Sequence, residues 1–189
     1  NWESFKNKTG SFVSEYGMQA MPNMNTINSF TQPTDRVMHS PVINAHQKAS
    51  DGFIKLDHYL TRYFIDSAKL SRLSLEDYTY LTQCLQYYIL KNSIAVHRSK
   101  YPINMGTLLW QLNDCWPVTS WSISDSSREP KAAWYAVTEA YRDVVVPKPE
   151  SSSLLPKYIE LKQPDLNITL SVNTSTLSSY VLPRSITFS

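Results

Sequence analysis

Two short stretches of the 189-residue chain place carboxylates where an apolar run gives way to a turn. In the first, the run from Phe12 to Glu15 leads into Tyr16-Gly17, and the glycine permits an abrupt change of direction. A carboxylate at such a strand end can act as a nucleophile or in proton transfer, and barrel enzymes collect their catalytic groups there. A glutamate before a turn is also a common surface residue or loop anchor, so Glu15 by itself leaves both interpretations open.

The second stretch is the apolar run from Met105 to Trp110, followed by Gln111-Leu112-Asn113-Asp114. It brings an aromatic ring, amides and an acid to one strand end. A carbohydrate pocket needs this mixture, because a sugar ring stacks on an aromatic face while its hydroxyls take directional hydrogen bonds. Trp110, Asn113 and Asp114 are therefore candidate substrate-binding residues. A capped core would use the same residue types, and the sugar site is favoured because both strand ends carry suitable groups.

Aromatic residues are unusually frequent, with five Trp and twelve Tyr against only four Gly. Four of the tryptophans fall in a single stretch: Trp110, Trp116, Trp121 and Trp134. Buried tryptophan is often simply part of the core. Trp116 is a further candidate for substrate binding, although for Trp116 and Trp121 a place in a sugar-binding wall and a place in the core are equally compatible with the sequence.

The pattern of apolar residues predicts alternating strands and helices. Strands are predicted at residues 12–15 and 106–110, with a polar loop at about 21–36. Ser74 and Asp77 resemble a capping box that opens the longest helix. Helices are predicted at residues 40–49, 54–65, 75–99 and 132–142.

Strand, helical excursion, strand and helix is the order of βα units, which indicates an α/β fold. Two strands close neither a sheet nor a barrel, so this part, residues 1–146, must dock onto further βα units outside the sequence, either as a fragment or as one half of an assembly. A Pro- and Ser-rich linker follows at 147–153. Beyond it, the alternation of Ile168, Leu170 and Val172 predicts that residues 154–189 begin an all-β module.

Composition argues against several classes of partner. The formal net charge is +2, with basic and acidic residues interspersed, so neither nucleic acid nor an anionic membrane is an expected partner. The four histidines and two cysteines lack metal-ligand or redox spacing, and no metal or cofactor is predicted. The N-terminal residues lack the features of a signal peptide, so the chain is expected to begin mid-protein or after processing. The compartment is not fixed, with a periplasmic or secreted location slightly favoured over a cytoplasmic one.

Taken together, the two strand-end stretches resemble the C-terminal signature motifs of β-mannosidases in glycoside hydrolase family 2. The matching stretches are residues 12–19 and 106–122, supported by residues 45–48 and 80–83, and the likeness covers roughly residues 11 to 145. Galactosidases and glucuronidases of the wider family are not similar over residues 111–116. The resemblance therefore favours a mannoside substrate, with exo-β-glucosaminidases as the nearest alternative.

The resemblance implies that the two strands are strands seven and eight of a TIM (β/α)8 barrel and that an immunoglobulin-like module begins after it. It makes Glu15 the nucleophile of a retaining mechanism and places Trp110 under a bound β-mannosyl unit, with Asn113, Asp114 and Trp116 nearby. The family's acid/base residue follows an asparagine, and this sequence contains no Asn-Glu pair. We therefore expect a fragment of an exo-β-mannosidase that uses no cofactor, needs the remainder of its own polypeptide and is inactive in isolation.

A rival hypothesis is a naturally truncated chain that binds glycans or protein partners without catalysis. The two hypotheses differ in gene context. A reading frame that continues upstream into an Asn-Glu motif favours the enzyme, whereas a start codon just before Asn1 favours the truncated chain.

Overall fold

A computed structural model of the chain describes residues 2–142. Within these residues, one parallel pair of strands packs against two helices that cover one of its faces. The predicted linker at 147–153 and the predicted β-module at 154–189 lie outside the described residues.

The two strands are Val13–Tyr16 (β1) and Thr107–Leu109 (β2), and they pair in parallel. Val13 aligns with Thr107 and Tyr16 with Leu109, so three steps along β1 match two along β2. This irregularity is a β-bulge that gives β1 one additional residue. The predicted strands are confirmed in place and parallel direction, although β1 begins one residue later than predicted and β2 is shorter.

Six helices lie among the described residues. They are α1 (Met24–Phe30), α2 (Pro41–Ala45), α3 (Ile54–Tyr63), α4 (Ser67–Leu70), α5 (Leu75–Ser99) and α6 (Ala132–Ala140), with short 3-10 turns at Trp2–Lys6 and Pro33–Asp35. None of these helices is long and apolar enough to cross a membrane.

The prediction of a polar loop over residues 21–36 is wrong, because this segment contains α1. Thr26 and Ile27 of α1 are buried, and the Thr26 hydroxyl donates to Asp125 Oδ2 at 2.9 Å. The helix therefore depends on a partner 99 residues away, which local periodicity does not reveal.

The predicted helix at 40–49 is also too long, since α2 ends at Ala45. Beyond it the backbone turns to pair with another segment. The His46 carbonyl accepts from Thr119 N–H at 2.7 Å, and Lys48 N–H donates to the Thr119 carbonyl at 3.1 Å. These two bonds satisfy the His46 carbonyl and the Lys48 N–H group, which a continued helix would have paired internally.

The long helix α5 is confirmed with its predicted bounds. Ser74 caps it by accepting from Asp77 N–H at 3.1 Å, and the Ser74 hydroxyl also donates to the Asp77 carboxylate at 2.6 Å. Asp77 stands at the third helical position, where a negative charge interacts favourably with the helix dipole. Because this local signal agrees with the apolar face, the sequence alone was sufficient to define the helix.

One face of the β1–β2 sheet packs on the helices. Tyr16 shares a core cluster with Leu90 and Ile94 of α5, and Leu109 packs against the same cluster. Leu90 and Ile94 are fully buried, and burial of such side chains contributes about 1.5–3 kcal/mol each. The helices therefore fix the sheet from one side and leave its other face exposed.

Candidate functional site

The ends of the two strands meet at a tight backbone contact. Trp110 N–H donates to the Tyr16 carbonyl at 2.7 Å, which extends the strand pairing by one residue. A Cβ atom on Gly17 would lie 2.1 Å from the carbonyl oxygen of Trp110 and 3.3 Å from a ring carbon of Trp121. No residue with a side chain fits there without a shift of the backbone, so glycine is required for the two strand ends to approach.

Glu15 and Trp110 lie at these strand ends and are both exposed, Trp110 by 48% of its surface. Their chain neighbours Tyr16 and Leu109 face the helices. Glu15 and Trp110 are exposed while these neighbours are packed on the core, so both lie on the side of the strand pair away from the helices. The structure thus brings the predicted nucleophile and the predicted stacking residue to the same end and the same face of the strand pair.

Asp114 is predicted to lie near the substrate, either as a hydrogen-bonding group or as a group that supports others. Its side chain is buried, with 7% of the residue exposed. Oδ2 accepts from the hydroxyls of Ser120 and Ser122 at 2.6 and 2.5 Å, and Oδ1 accepts from Gln111 Nε2 at 3.1 Å. The carboxylate is therefore engaged in holding the loop that follows Trp110.

Asn113 is exposed next to this buried carboxylate. Its side-chain amide makes only a long contact, 3.5 Å, to the Asp114 carbonyl, while its own carbonyl accepts from Gln111 Nε2 at 2.9 Å. The backbone of Asn113 is thus held and its amide group remains close to solvent. This combination suits a residue that presents hydrogen-bonding groups to a ligand.

Trp116 lies farther along the same loop, at the edge of an aromatic cluster with His46 and Phe30. The Trp116 and His46 ring centroids are 5.3 Å apart, and His46 stacks on Phe30 at 3.8 Å with the rings 7° from parallel. His46 Nδ1 lies 2.5 Å from the Pro117 carbonyl oxygen. Trp116 remains 37% exposed, so it belongs to the surface rather than to the core.

Sequence analysis missed Lys131, whose side chain is completely buried beneath the loops. Its Nζ donates to the Ala20 carbonyl at 3.3 Å. Burial lowers the pKa of Lys131 to about 8, and the negative charges of Asp114 and Asp125 partly oppose this shift. A lysine before a helix resembles an ordinary surface residue in sequence, so no local signal marks it as buried.

Asp125 organises the loop before α6. Oδ1 accepts from the backbone N–H groups of Ser127 and Glu129 at 3.0 and 3.1 Å, and Oδ2 accepts from Asn23 and Thr26 of the α1 region. Only 1% of the residue is exposed. Among residues 2–142, no three His, Cys, Asp or Glu side chains are grouped closely enough to hold a metal ion.

A parallel strand pair that presents a carboxylate and a tryptophan at its carboxyl ends is the arrangement expected of a partial glycoside hydrolase domain. Comparisons with known proteins agree with this class. No protein-family model matches the chain. β-Mannosidase B of Emericella nidulans is 36% identical over 149 residues, which are 77% of this chain and 17% of that protein. β-Mannosidase B of Thermothelomyces thermophilus is 33% identical over 145 residues, 72% of this chain and 16% of that protein.

Solved structures give the same relationship. The β-D-mannosidase of Dictyoglomus thermophilum matches 76% of this chain and 17% of its own length, with a TM-score of 0.70 and 35% identity. An exo-chitosanase of Amycolatopsis orientalis matches 74% of this chain and 18% of its own length, with a TM-score of 0.59 and 19% identity, a likeness of fold alone. The chain is therefore a homologue of one part of the β-mannosidases of glycoside hydrolase family 2 and spans about a sixth of their length.

Proposed function

We propose that the chain forms the C-terminal part of the catalytic (β/α)8 barrel of a retaining exo-β-mannosidase, with β1 and β2 as strands seven and eight. The observation that carries the proposal is the parallel pairing that places Glu15 and Trp110 on one exposed face where the strands end. The similarity to β-mannosidases from fungi and from Dictyoglomus supports the choice of a β-mannoside as substrate.

Glu15 is the nucleophile in this proposal. Its carboxylate attacks the anomeric carbon of a terminal β-mannosyl unit, and the glycosidic oxygen leaves as a second carboxylic acid protonates it. Water then hydrolyses the glycosyl-enzyme ester with the second residue acting as base. That residue stands about 5–5.5 Å from the nucleophile in retaining enzymes, and we place it in a part of the barrel outside residues 1–189. The 189-residue chain by itself is accordingly expected to show no turnover.

The other candidate residues take separate roles. Trp110 is the stacking surface for the sugar ring, and Asn113 offers hydrogen bonds beside it. Asp114 acts indirectly, because its carboxylate fixes the loop through Ser120 and Ser122. Trp116, partly exposed against His46, is placed as an outer wall of the pocket.

The chain's partner in this proposal is the remainder of its own polypeptide. A two-stranded sheet is marginal by itself, and the face of the pair that carries the site also exposes Leu108, by 55%. Flanking parallel strands would cover such surface and complete a barrel. We propose neither a nucleic acid nor a membrane as a partner.

A covalent label tests the proposal directly. The full-length protein that contains this chain is incubated with a 2-deoxy-2-fluoromannosyl fluoride, digested and analysed by mass spectrometry. The label is expected on Glu15, because the fluorine at C2 slows both steps while the reactive fluoride leaving group keeps formation of the glycosyl-enzyme ester faster than its hydrolysis. A Glu76→Gln variant, altered at an exposed glutamate of α5, is the control and should label normally. A label on any other residue would overturn the assignment of Glu15.

Two alternatives are decided by related measurements. An exo-β-glucosaminidase would hydrolyse a nitrophenyl β-glucosaminide faster than the corresponding β-mannoside. A non-catalytic glycan-binding or partner-binding chain would form no covalent adduct and would hydrolyse neither substrate. In the proposed function, the β-mannoside is hydrolysed faster and the adduct forms.

A further inference from the structure

The loops after the two strands are joined by the side chain of one residue of α5, Gln86. This residue is completely buried. Its Nε2 group contacts three backbone carbonyls: Met18 at 2.8 Å, Ser122 at 2.9 Å and Trp121 at 3.2 Å. Because an amide nitrogen carries only two hydrogens, at least one of them is shared between two of these acceptors.

The three carbonyls belong to both halves of the proposed site. Met18 lies three residues after Glu15, on the loop that leaves β1. The Trp121 carbonyl also accepts from Gln111 N–H at 3.2 Å, and Gln111 directly follows Trp110. Gln86 is therefore connected to Glu15 through one short segment of backbone and to Trp110 through a single shared carbonyl.

From this geometry we infer that Gln86 is a positioning residue, which fixes the carboxylate of Glu15 relative to the ring of Trp110 by holding both post-strand loops to α5. The inference rests on the proposed function. A nucleophile and a sugar-stacking surface at the ends of two different strands keep a productive arrangement only if the loops that follow them are held together, and a misplacement of about 1 Å can lower a rate 100-fold.

A matched control exists on the same helix. Asn92 is also a buried amide, 5% exposed, but its Nδ2 donates to the Tyr88 carbonyl of its own helix at 2.7 Å. Replacement of either amide by leucine removes a buried donor from α5. Only the change at Gln86 removes hydrogen bonds between α5 and the two loops, so the pair of variants separates a loss of stability from a loss of positioning.

The experiment compares Gln86→Leu and Asn92→Leu in the full-length protein, with kcat and KM for a β-mannoside measured well below both unfolding temperatures. We expect kcat to fall about 10- to 100-fold in Gln86→Leu. In Asn92→Leu it should stay within about twofold even if the unfolding temperature drops equally. Equal kcat values in the two variants would overturn the inference.

A Gln86→Glu variant keeps the test decisive if the leucine variant fails to fold. A neutral carboxylic acid can donate one hydrogen bond to these carbonyls, whereas the ionised form repels all three. The ratio of its kcat to that of the wild type is expected to rise as the pH falls, and a ratio independent of pH would contradict the inference. Loss of activity in Gln86→Leu while a Glu15→Ala variant remains active would instead refute the proposed function.

Discussion

The two faces of the β1–β2 sheet differ in what covers them. On one face, Tyr16 and Leu109 pack with residues of α5 and α6, where water is excluded. On the other, Glu15, Leu108 and Trp110 are exposed. The same strands therefore supply stability on one side and candidate chemistry on the other. We therefore expect substitutions on the exposed face to alter activity. Changes in the backbone between the two faces should alter both activity and stability.

The largest effect is expected at Glu15. Glu15→Ala removes the proposed nucleophile, so kcat of the full-length enzyme should fall roughly 10⁴-fold or more, while thermal unfolding is nearly unchanged because the side chain is exposed. Added azide should restore part of the rate and yield the glycosyl azide with inverted configuration. Retained activity would show that Glu15 is not the nucleophile. It would also contradict the assignment of the chemistry to the exposed face.

Gly17→Ala should affect both stability and activity. The added methyl group would stand 2.1 Å from the Trp110 carbonyl oxygen, so the strand ends must separate. We expect a loss of about 2–4 kcal/mol in the free energy of unfolding, together with reduced turnover in the folded fraction. Gly10→Ala is the control, since the nearest atom to its new methyl would be 3.6 Å away. Similar denaturation curves for the two variants would show that the contact is not tight.

Trp110→Ala should weaken sugar binding by about 1–3 kcal/mol if the ring stacks on the substrate. Half of the ring is exposed, so the unfolding temperature is expected to change little. Binding of a mannose-configured inhibitor, measured by calorimetry, tests this. Trp134→Ala, 40% exposed on α6, should leave binding intact. A large drop in stability without lost affinity would show that Trp110 contributes to the core rather than to sugar binding.

The last prediction is a pH dependence of stability beneath the site. Burial lowers the pKa of Lys131 from its ordinary value of 10.5 to about 8, so the unfolded chain binds more protons between these pH values. Stability from this group therefore rises with pH through that window, by at most about 1.4 kcal/mol per pH unit. Buried tyrosines such as Tyr16, whose pKa is raised by burial, oppose the rise above about pH 10.

The contribution of Lys131 to the pH dependence of stability is obtained by comparing the wild type with a Lys131→Met variant. The stability of Lys131→Met, measured by urea denaturation from pH 7 to 10.5, should lack the rise that the wild type shows. Lys55→Met changes a lysine whose side chain is 75% exposed and should follow the wild type. Parallel curves for wild type and Lys131→Met would mean that Lys131 is not desolvated in the folded protein.

Sequence reasoning succeeded where the signal is local or carried by a distinctive motif. The capping pair Ser74 and Asp77 defined the start of α5, and the apolar face behind it gave the approximate length of the helix. The two strands were placed by their short apolar runs, but their bulged register requires both partners and could not be read from either alone. Glu15 and Trp110 are both exposed at the strand ends, and their roles remain predictions.

Long-range polar contacts set the limit of the sequence analysis. The segment of α1 was predicted to be a loop because its fold depends on Asp125, far along the chain. Asp114 was predicted near the substrate as a hydrogen-bonding or a supporting group, and only the tertiary structure shows that Ser120 and Ser122 donate to its carboxylate. Gln86 and Lys131 resemble surface residues in a linear pattern, and only the tertiary structure shows that they are buried.

Because of the bulge in β1, the orientation of the Glu15 carboxylate depends on how many residues separate Val13 from Tyr16 as well as on the types of those residues. Val13 and Tyr16 both contact the core cluster, and the two residues between them, Ser14 and Glu15, are both exposed. Deletion of Ser14 would restore a regular alternation and leave in place Glu15 and Trp110, the groups that this chain contributes to the proposed chemistry. With Tyr16 still packed on the helices, Glu15 would be the single residue between the two core contacts. The segment before Glu15 would shift by one residue toward Tyr16. Sequence comparison that scores identity alone would still recognise the nucleophile in such a protein, although the direction of its carboxylate would have changed.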